Sequence, residues 1–469
     1  MANEVTALFP TDKQLVLAFA GGRLYEAGST GDKLIQDFNT NVYQRLAGVK
    51  YLDAYFCTSD FIELFMVKDG QVTEFQKCEM PLPTGRFVEF FMDRVVVGRI
   101  ANFMGETAES AILFSDRADY GLFEEKATNE ATRYDLTPQL VSSENVTGLT
   151  GLKAWGNVLY AYTPNSIELI QYVGQPWVLR KETLPMQIGN CFPYAVVNGQ
   201  FGQYFVSCES VYVTTSGGVQ EVGQAVSSFL FNDLSEVDEQ RYKMWGAYDP
   251  VSREVFWVYA SKTGNGELDS KIVYNESDQQ WTTSKCENLH SHARVTVRSL
   301  PLTIDDLSGA IDNQVGNIDN LVGEAGIASL SLWGTADRKV LRDETVTDNF
   351  ADFVDAEEPY LETGDLFFED LHNRKEVNGV LINADYDENT CDGVEVFIST
   401  RDKLDEEVVW VSKGLWTKDI KTKIRTFSPV NGIVFRFKFL FKEATADRGV
   451  RNAKFSAWGL VGLTTLANR

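Results

Sequence analysis

Asn157-Val-Leu-Tyr-Ala-Tyr162, then Thr163-Pro164-Asn165, then Ser166-Ile-Glu-Leu-Ile-Gln171, is the stretch whose reading decides the fold. Each run is too short for an independent helix and is rich in aromatic and β-branched residues, which suit a pleated, half-buried strand. Between them, Pro presets the backbone angle of a tight turn and Asn tolerates the left-handed region. Strand, turn, strand is the local grammar of a hairpin. The same grammar recurs along the chain. Leu15-Val-Leu-Ala-Phe-Ala20 turns at Gly21 and Gly22 into Arg23-Leu-Tyr25, and the run at 61–67 turns at Lys68-Asp69-Gly70 into 71–75. Arg94-Val-Val-Val-Gly98 leads to Ala111-Ile-Leu-Phe-Ser115, and 203–207 leads to 210–214 and, past Ser216-Gly217-Gly218, to 219–222. Glu254-Val-Phe-Trp-Val-Tyr259 leads to 270–274 and to Trp281.

These units return about every 35–50 residues, the length of a β-propeller blade of four short antiparallel strands. Roughly six or seven blades fit between residue 12 and residue 350, with strand signals fading over 116–150. Trp281, after the turn that follows Val273-Tyr274-Asn275, is expected to fill the wedge between two blades. The segment 234–243 reads as a helix with Ser235 as its N-cap and acidic residues in its first turn. Helix-length amphipathic segments do not alternate with the strands, so an α/β fold is disfavoured. Composition changes near 350: acidic residues crowd 352–370, without Lys or Arg. New strands follow at 379–383, 393–399, 408–411, 433–441 and 454–460. In the fourth of these, Phe435, Phe437 and Phe439 alternate with Arg436 and Lys438, the period of a strand with one buried face. The expected architecture is all-β: a β-propeller over 1–350, then a β-sandwich or jelly-roll-like domain over 351–469.

The whole-chain totals limit function. Hydrophobic residues make up 44% and charged residues 23%, the globular range. The formal charge of −24 repels polyanions at long range, so sequence-specific binding to duplex DNA is disfavoured. Cys57, Cys78, Cys191, Cys208, Cys286 and Cys391 lie far apart with no CxxC pair; free, mostly buried thiols and an intracellular site of folding are expected. The start Met1-Ala-Asn-Glu lacks the basic residues of a signal peptide, and no apolar run nears the roughly 18 residues needed to span a bilayer, so no stable membrane insertion is expected.

Candidate chemistry is sparse. Cys286, His290 and His292 form the one metal-like cluster, but a fourth ligand is missing locally; surface or turn residues are the preferred reading. The chain has 3 His, and none accompanies a Gly-x-Ser-x-Gly elbow. Ser115-Asp-Arg-Ala-Asp-Tyr-Gly121 approaches a sialidase-type Asp box without its Trp, and Asp385-Tyr-Asp-Glu-Asn389 has acidic spacing without the Gly of a calcium loop. Both read as solvated turns. Paired carboxylates for glycoside hydrolysis stay open among the many Asp and Glu. The basic stretch 413–454 sits near the acidic 352–370. Either it is an ordinary solvated face, or opposite patches on successive copies meet head to tail. No catalytic, metal or cofactor-binding residue is assigned.

Three tandem heptads occupy 303–323: Thr303-Ile-Asp-Asp-Leu-Ser-Gly309, Ala310-Ile-Asp-Asn-Gln-Val-Gly316 and Asn317-Ile-Asp-Asn-Leu-Val-Gly323. A Gly in each opposes a coiled coil. Stacked turns burying Ile304, Ile311 and Ile318, with Asp305, Asp312 and Asp319 capping backbone amides, would make an ordered spacer between two blades.

Together with these heptads and Pro301-Leu302, the stretches 150–162 and 166–172, and Ala111-Ile-Leu-Phe-Ser-Asp-Arg-Ala-Asp-Tyr120, make the chain similar to the tail nozzle proteins of short-tailed bacteriophages. These are also called tail hub, tail accessory or packaged-DNA-stabilisation proteins. The likeness covers roughly 100–470 in order of elements. It implies a non-enzymatic virion protein without cofactors, assembled in the host cytoplasm into a homohexameric ring below the portal and head–tail adaptor. It implies contact with tail fibre or tailspike proteins. Genomic DNA would be retained, then passed through the lumen on ejection without specific binding, which an acidic wall permits. The alternatives are a propeller glycosidase or carbohydrate-binding tail protein, and a cellular propeller scaffold.

Overall fold

Up to residue 342, alternating apolar and polar residues between Gly, Asn and Asp turns give antiparallel meanders in which each strand pairs with the next in its sheet. The computed structural model describes residues 4–11, 16–27, 33–40, 45–73, 75, 81–117, 119–126, 128–136, 148–174, 177–286, 288–298, 327–336, 339–342, 360–366, 368, 373–386, 391–403, 406–418, 424–443, 454–461 and 463–465. The chain divides into two units, 1–345 and 346–469. The heptads at 303–323 lie outside the described residues.

In the first unit, sheet one holds β1 (Val5–Pro10), β2 (Val16–Ala20), β3 (Arg23–Ala27) and β4 (Lys33–Asp37). Sheet two holds β5 (Ala47–Tyr51), β6 (Ala54–Thr58), β7 (Phe65–Lys68) and β8 (Gln71–Thr73). Sheet three holds β9 (Thr84–Phe91), β10 (Arg94–Phe103), β11 (Glu106–Phe114) and β12 (Thr132–Asp135). Sheet four holds β13 (Gly151–Trp155), β14 (Val158–Tyr162), β15 (Ile167–Tyr172) and β16 (Leu179–Thr183). Sheet five holds β17 (Val197–Asn198), β18 (Gln203–Val206), β19 (Val211–Thr215) and β20 (Gly218–Glu221). Two short helices follow, α1 (Ser227–Asp233) and α2 (Asp238–Arg241). Sheet six holds β21 (Trp245–Asp249), β22 (Glu254–Tyr259), β23 (Ser270–Asn275) and β24 (Gln280–Lys285). Sheet seven holds β25 (Leu289–Arg298), β26 (Ile327–Thr335) and β27 (Val340–Arg342).

The helix expected over 234–243 is corrected. Leu234 instead bridges to Ser261 as extended chain, and Ser235 Oγ accepts from Val237 N at 3.2 Å and bonds Gln240 Oε1 at 2.6 Å. The Ser hydroxyl offers a local turn in place of a cap, so the helix begins only at Asp238. The expectation of free thiols fails at one pair: Cys191 and Cys208 form a disulfide with 5.6 Å between Cα atoms. The β17–β18 hairpin lies between them and folds its two ends together, where Cys191 N donates to Val206 O at 3.0 Å. Among the described residues, Cys57 and Cys286 keep free thiols, and Cys391 Sγ donates to Gly393 O at 3.3 Å.

Side chains between sheets follow the chain around a closed circuit. Phe9 and Leu17 pack on Tyr55 and Cys57, joining sheets one and two. Phe56 meets Val88 and Val97, joining two and three. Phe114 meets Leu152 and Leu159, joining three and four, and Tyr162 meets Phe205, joining four and five. Val206 and Val213 meet Trp257 and Ile272, joining five and six. Phe256 meets Trp333, joining six and seven. Val5, Leu8 and Ala18 meet Ala293 and Val295, which brings sheet seven back to sheet one. Polar links cross the same seams. Trp257 Nε1 donates to Ala195 O at 2.8 Å, Trp281 Nε1 to Val222 O at 2.9 Å and Tyr162 OH to Gln203 Oε1 at 2.8 Å. Within sheet six Trp281 also stacks on Trp257 with centroids 6.0 Å apart. Gly48 is needed at the first seam, because a Cβ there would stand 2.4 Å from the Phe9 ring.

The second unit has β28 (Tyr360–Glu362), β29 (Lys375–Asp385), β30 (Cys391–Arg401), β31 (Val411–Trp416), β32 (Ile424–Gly432), β33 (Val434–Glu443), β34 (Lys454–Val461) and β35 (Thr464–Thr465). One sheet runs β28-β33-β30-β31; the other runs β32-β29-β34, with β35 also paired to β29. The two sheets share one core, in which Phe435, Phe437 and Phe439 of β33 meet Val380, Ile382 and Trp458. Replacing Phe437 with Ala should cost about 3–5 kcal/mol in urea unfolding of this unit, and a loss under about 1 kcal/mol would refute the shared core. In denaturant without reductant, alkylation should spare Cys191 and Cys208; label on both would overturn the bridge.

Candidate functional site

Because the sheets pack in a circuit, their first strands converge. Around a cavity of about 210 Å³ stand 6–9 of β1, 45–48 at β5, 86–88 of β9, 151–153 of β13, Pro193, Tyr194 and Val196 beside β17, 245–247 of β21, and Ser291 and His292 of β25. The charged residues of the lining are basic: Arg45, Arg86 and Lys153, with His292 as a further titratable ring and neither Asp nor Glu among them. That is a local reversal of sign in a chain of formal charge −24.

Each cation is braced from outside the lining. Arg86 Nε donates to Asp60 Oδ2 at 2.9 Å. Lys153 Nζ donates to the buried Glu89 at 2.7 Å. Arg45 Nη1 donates to His290 O at 2.9 Å, and its guanidinium lies over the rings of Tyr194 at 5.3 Å and Trp245 at 4.8 Å. Beside Arg86, Arg99 pairs with Glu109 at 3.4 Å. Burial, and then the neighbouring Arg86 charge, lower the Arg99 pKa. At Arg86 burial pulls the pKa down, but Tyr194, Asp60 and Glu109 together outweigh it and the net shift is upward.

The metal-like trio does not share a centre. A register irregularity between Leu289 and Ser291 separates the two histidines that a regular strand would place on one face. His290 Nε2 bonds Asn288 Oδ1 at 2.8 Å, while His292 Nε2 bonds Ser331 Oγ at 2.9 Å and its ring packs on Phe256 and Trp333. Cys286 Sγ donates to Leu268 O at 3.5 Å, and burial pushes its thiol up to about 12. Among the described residues, no three His, Cys, Asp or Glu side chains converge as a metal site. Ser115, expected in a solvated turn, is instead buried and its Oγ accepts from Val95 N at 2.9 Å, while Asp116 Oδ1 accepts from Glu130 N at 2.8 Å. Asp385 pairs with Lys418 at 2.6 Å; 387–390 lie outside the described residues. In the second unit Arg436 of the basic stretch reaches Glu362 at 3.4 Å and Asp365 at 2.5 Å within the same chain.

The basic lining carried no signal in the sequence. Arg45, Arg86 and Lys153 belong to three unrelated segments of sequence, and each taken alone is an ordinary cation in or beside a strand.

No protein-family profile and no curated protein matches the sequence. Among solved structures, the chain is similar to the extracellular domain of a hybrid two-component system from B. thetaiotaomicron, with 10% identity, TM-score 0.44, and coverage of 75% of this chain and 39% of that one. It is similar to PorZ of the type-IX secretion system of Porphyromonas gingivalis, with 13% identity, TM-score 0.39, and coverage of 74% of this chain and 39% of that one. It is similar to BamB from Moraxella catarrhalis, with 9% identity, TM-score 0.38, and coverage of 72% of this chain and 84% of that one. None of these three is a tail nozzle protein.

The buried imidazole beside the cavity sets a pH dependence. Burial first, then the Arg45 and Lys243 charges, pull His290 down to about 3, whereas an unfolded His titrates near 6.5. Between those values the unfolded chain holds the extra proton, so stability is full above about pH 6.5 and falls as pH drops towards 3. By pH 5 the His290 contribution should be about 2 kcal/mol lost. A His290→Gln variant should show a correspondingly smaller fall in urea midpoint between pH 7 and pH 5; an unchanged fall would overturn this.

Proposed function

We propose that the first unit is a seven-bladed β-propeller, that the second is a β-sandwich, and that the protein is a non-enzymatic structural component of a short phage tail. In this reading it is the nozzle or hub, assembled as a homohexameric ring below the adaptor, and it retains packaged DNA until ejection. The blade count is supported by the circuit of inter-sheet clusters that returns from sheet seven to sheet one. The observation that carries the tail reading is the likeness at 111–120, 150–172 and 301–323 to nozzle proteins, in an all-β chain of repeated meanders with a charge of −24.

Two further features bear on it. Leu52, Trp177, Phe201 and Val251 are exposed. All four stand in turns that join first to second or third to fourth strands, which fall at one end of an antiparallel meander. Phe61 and Met104, in turns that join second to third strands, are exposed as well, so both ends carry apolar side chains that suit contact with neighbouring subunits. The central cavity of about 210 Å³ is far too small for a duplex whose major groove alone is about 12 Å wide. The DNA path in this reading therefore runs between copies and not through a propeller axis.

The carbohydrate-binding alternative is favoured by one observation, the cavity itself, where apolar side chains stand beside polar groups.

Immunogold electron microscopy with an antibody to this chain should place gold at the neck or tip of short-tailed virions from the source lysate. Gold absent from every particle would overturn the tail reading. Deleting 303–323 should leave the circular-dichroism spectrum intact and weaken assembly into rings on native mass spectrometry; an unfolded deletion variant would refute the spacer role.

A further inference from the structure

We propose that the cavity where the seven first strands converge binds a small organic carboxylate whose body is a ring. This stands apart from the tail reading, since it rests only on the geometry of the first unit.

The charge pattern is the first argument. Arg45, Arg86 and Lys153 reach the cavity from three different sheets, and the carboxylates that brace them, Asp60 and Glu89, stand outside the lining. A cation held from behind by a carboxylate is oriented without being withdrawn from the cavity, so donors face it before any ligand arrives. A globally acidic chain gains nothing by gathering cations where they repel one another. Arg99 shows that repulsion, because the Arg86 charge helps to lower its pKa.

The shape of the donors is the second argument. A guanidinium is a rigid planar fork that matches a carboxylate with two parallel hydrogen bonds. Asp60 takes the Nε and one Nη2 hydrogen of Arg86, which fixes the plane and leaves the Nη1–Nη2 edge, while Arg45 is held by the His290 carbonyl and two aromatic rings. Pre-organised forks lose little entropy on binding.

The third argument is the remaining wall. With the Tyr194 and Trp245 rings taken by Arg45, the side chains of Leu8, Leu46, Val88 and Leu152 in the lining give apolar surface, which a bare inorganic anion would leave unused. The volume of about 210 Å³ exceeds the roughly 150 Å³ cavity that accepts benzene, so one substituted six-membered ring fits.

The test is isothermal titration of the full chain at low ionic strength with benzoate, D-glucuronate, glucose and inorganic phosphate. Saturable binding of benzoate or glucuronate at one site per chain is expected, with no heat from glucose and weaker binding of phosphate. Arg86→Lys keeps the charge and its pairing with Asp60 but removes the fork, so it should weaken the carboxylate at least tenfold. Unchanged affinity in that variant would show general attraction only and overturn the proposal. Absence of binding by both carboxylates, or phosphate binding tighter than either, would also overturn it. Should Arg86→Lys fail to fold, quenching of Trp fluorescence in the natural chain supplies the second readout. Benzoate and glucuronate should displace one another from a shared site, and additive independent binding would refute it.

Discussion

Everything in the first unit depends on sheets that bury their faces only against the next sheet in sequence. A four-stranded meander has two apolar faces and too little area to fold alone. Here each face is covered by a neighbour, and the last sheet covers the first through Val295, Ala293, Val5 and Leu8. Ser291 Oγ donates to Val5 O at 2.5 Å at that seam, and Arg45 bonds the His290 carbonyl close by. Closure therefore ties residues near the start of the unit to residues near 290. The contacts are long in sequence, which makes the ring costly to form and cooperative once formed.

The same constraint makes the cavity. First strands that pack side by side around a circuit must leave a central space, and what lines it is decided by the few residues at their starts. Small residues such as Gly48, Gly151 and Gly246 let backbones approach there, while Arg45, Arg86 and Lys153 supply charge. Carboxylates one layer out make those charges tolerable: Glu89 is nearly fully buried and would be expensive without Lys153. A chemical character opposite to that of the whole chain is thus held at its centre by paired burial.

Much of the architecture was legible beforehand because its causes are local. Turn residues and period-two alternation marked hairpins at 157–171, 203–222 and 254–281, and the Phe435, Phe437, Phe439 stripe marked a one-sided strand. Where a local signal had two outcomes the reading slipped. Ser235 was a credible cap, yet its hydroxyl closes a turn and α2 starts later. Cys191 and Cys208, well separated along the chain, carried no pairing signal; the β17–β18 hairpin creates it by bringing their backbones together.

By itself the sequence determined that this is a β protein of repeated meanders, acidic overall, with a compositional break near 350, because strand period, turn chemistry and charge are properties of neighbours along the chain. Only the tertiary structure decided which sheet closes on which, that His290 and His292 bond different partners, and that three cations from separate segments meet. Those outcomes depend on distances between residues tens to hundreds of positions apart, and such distances exist only once the sheets have packed.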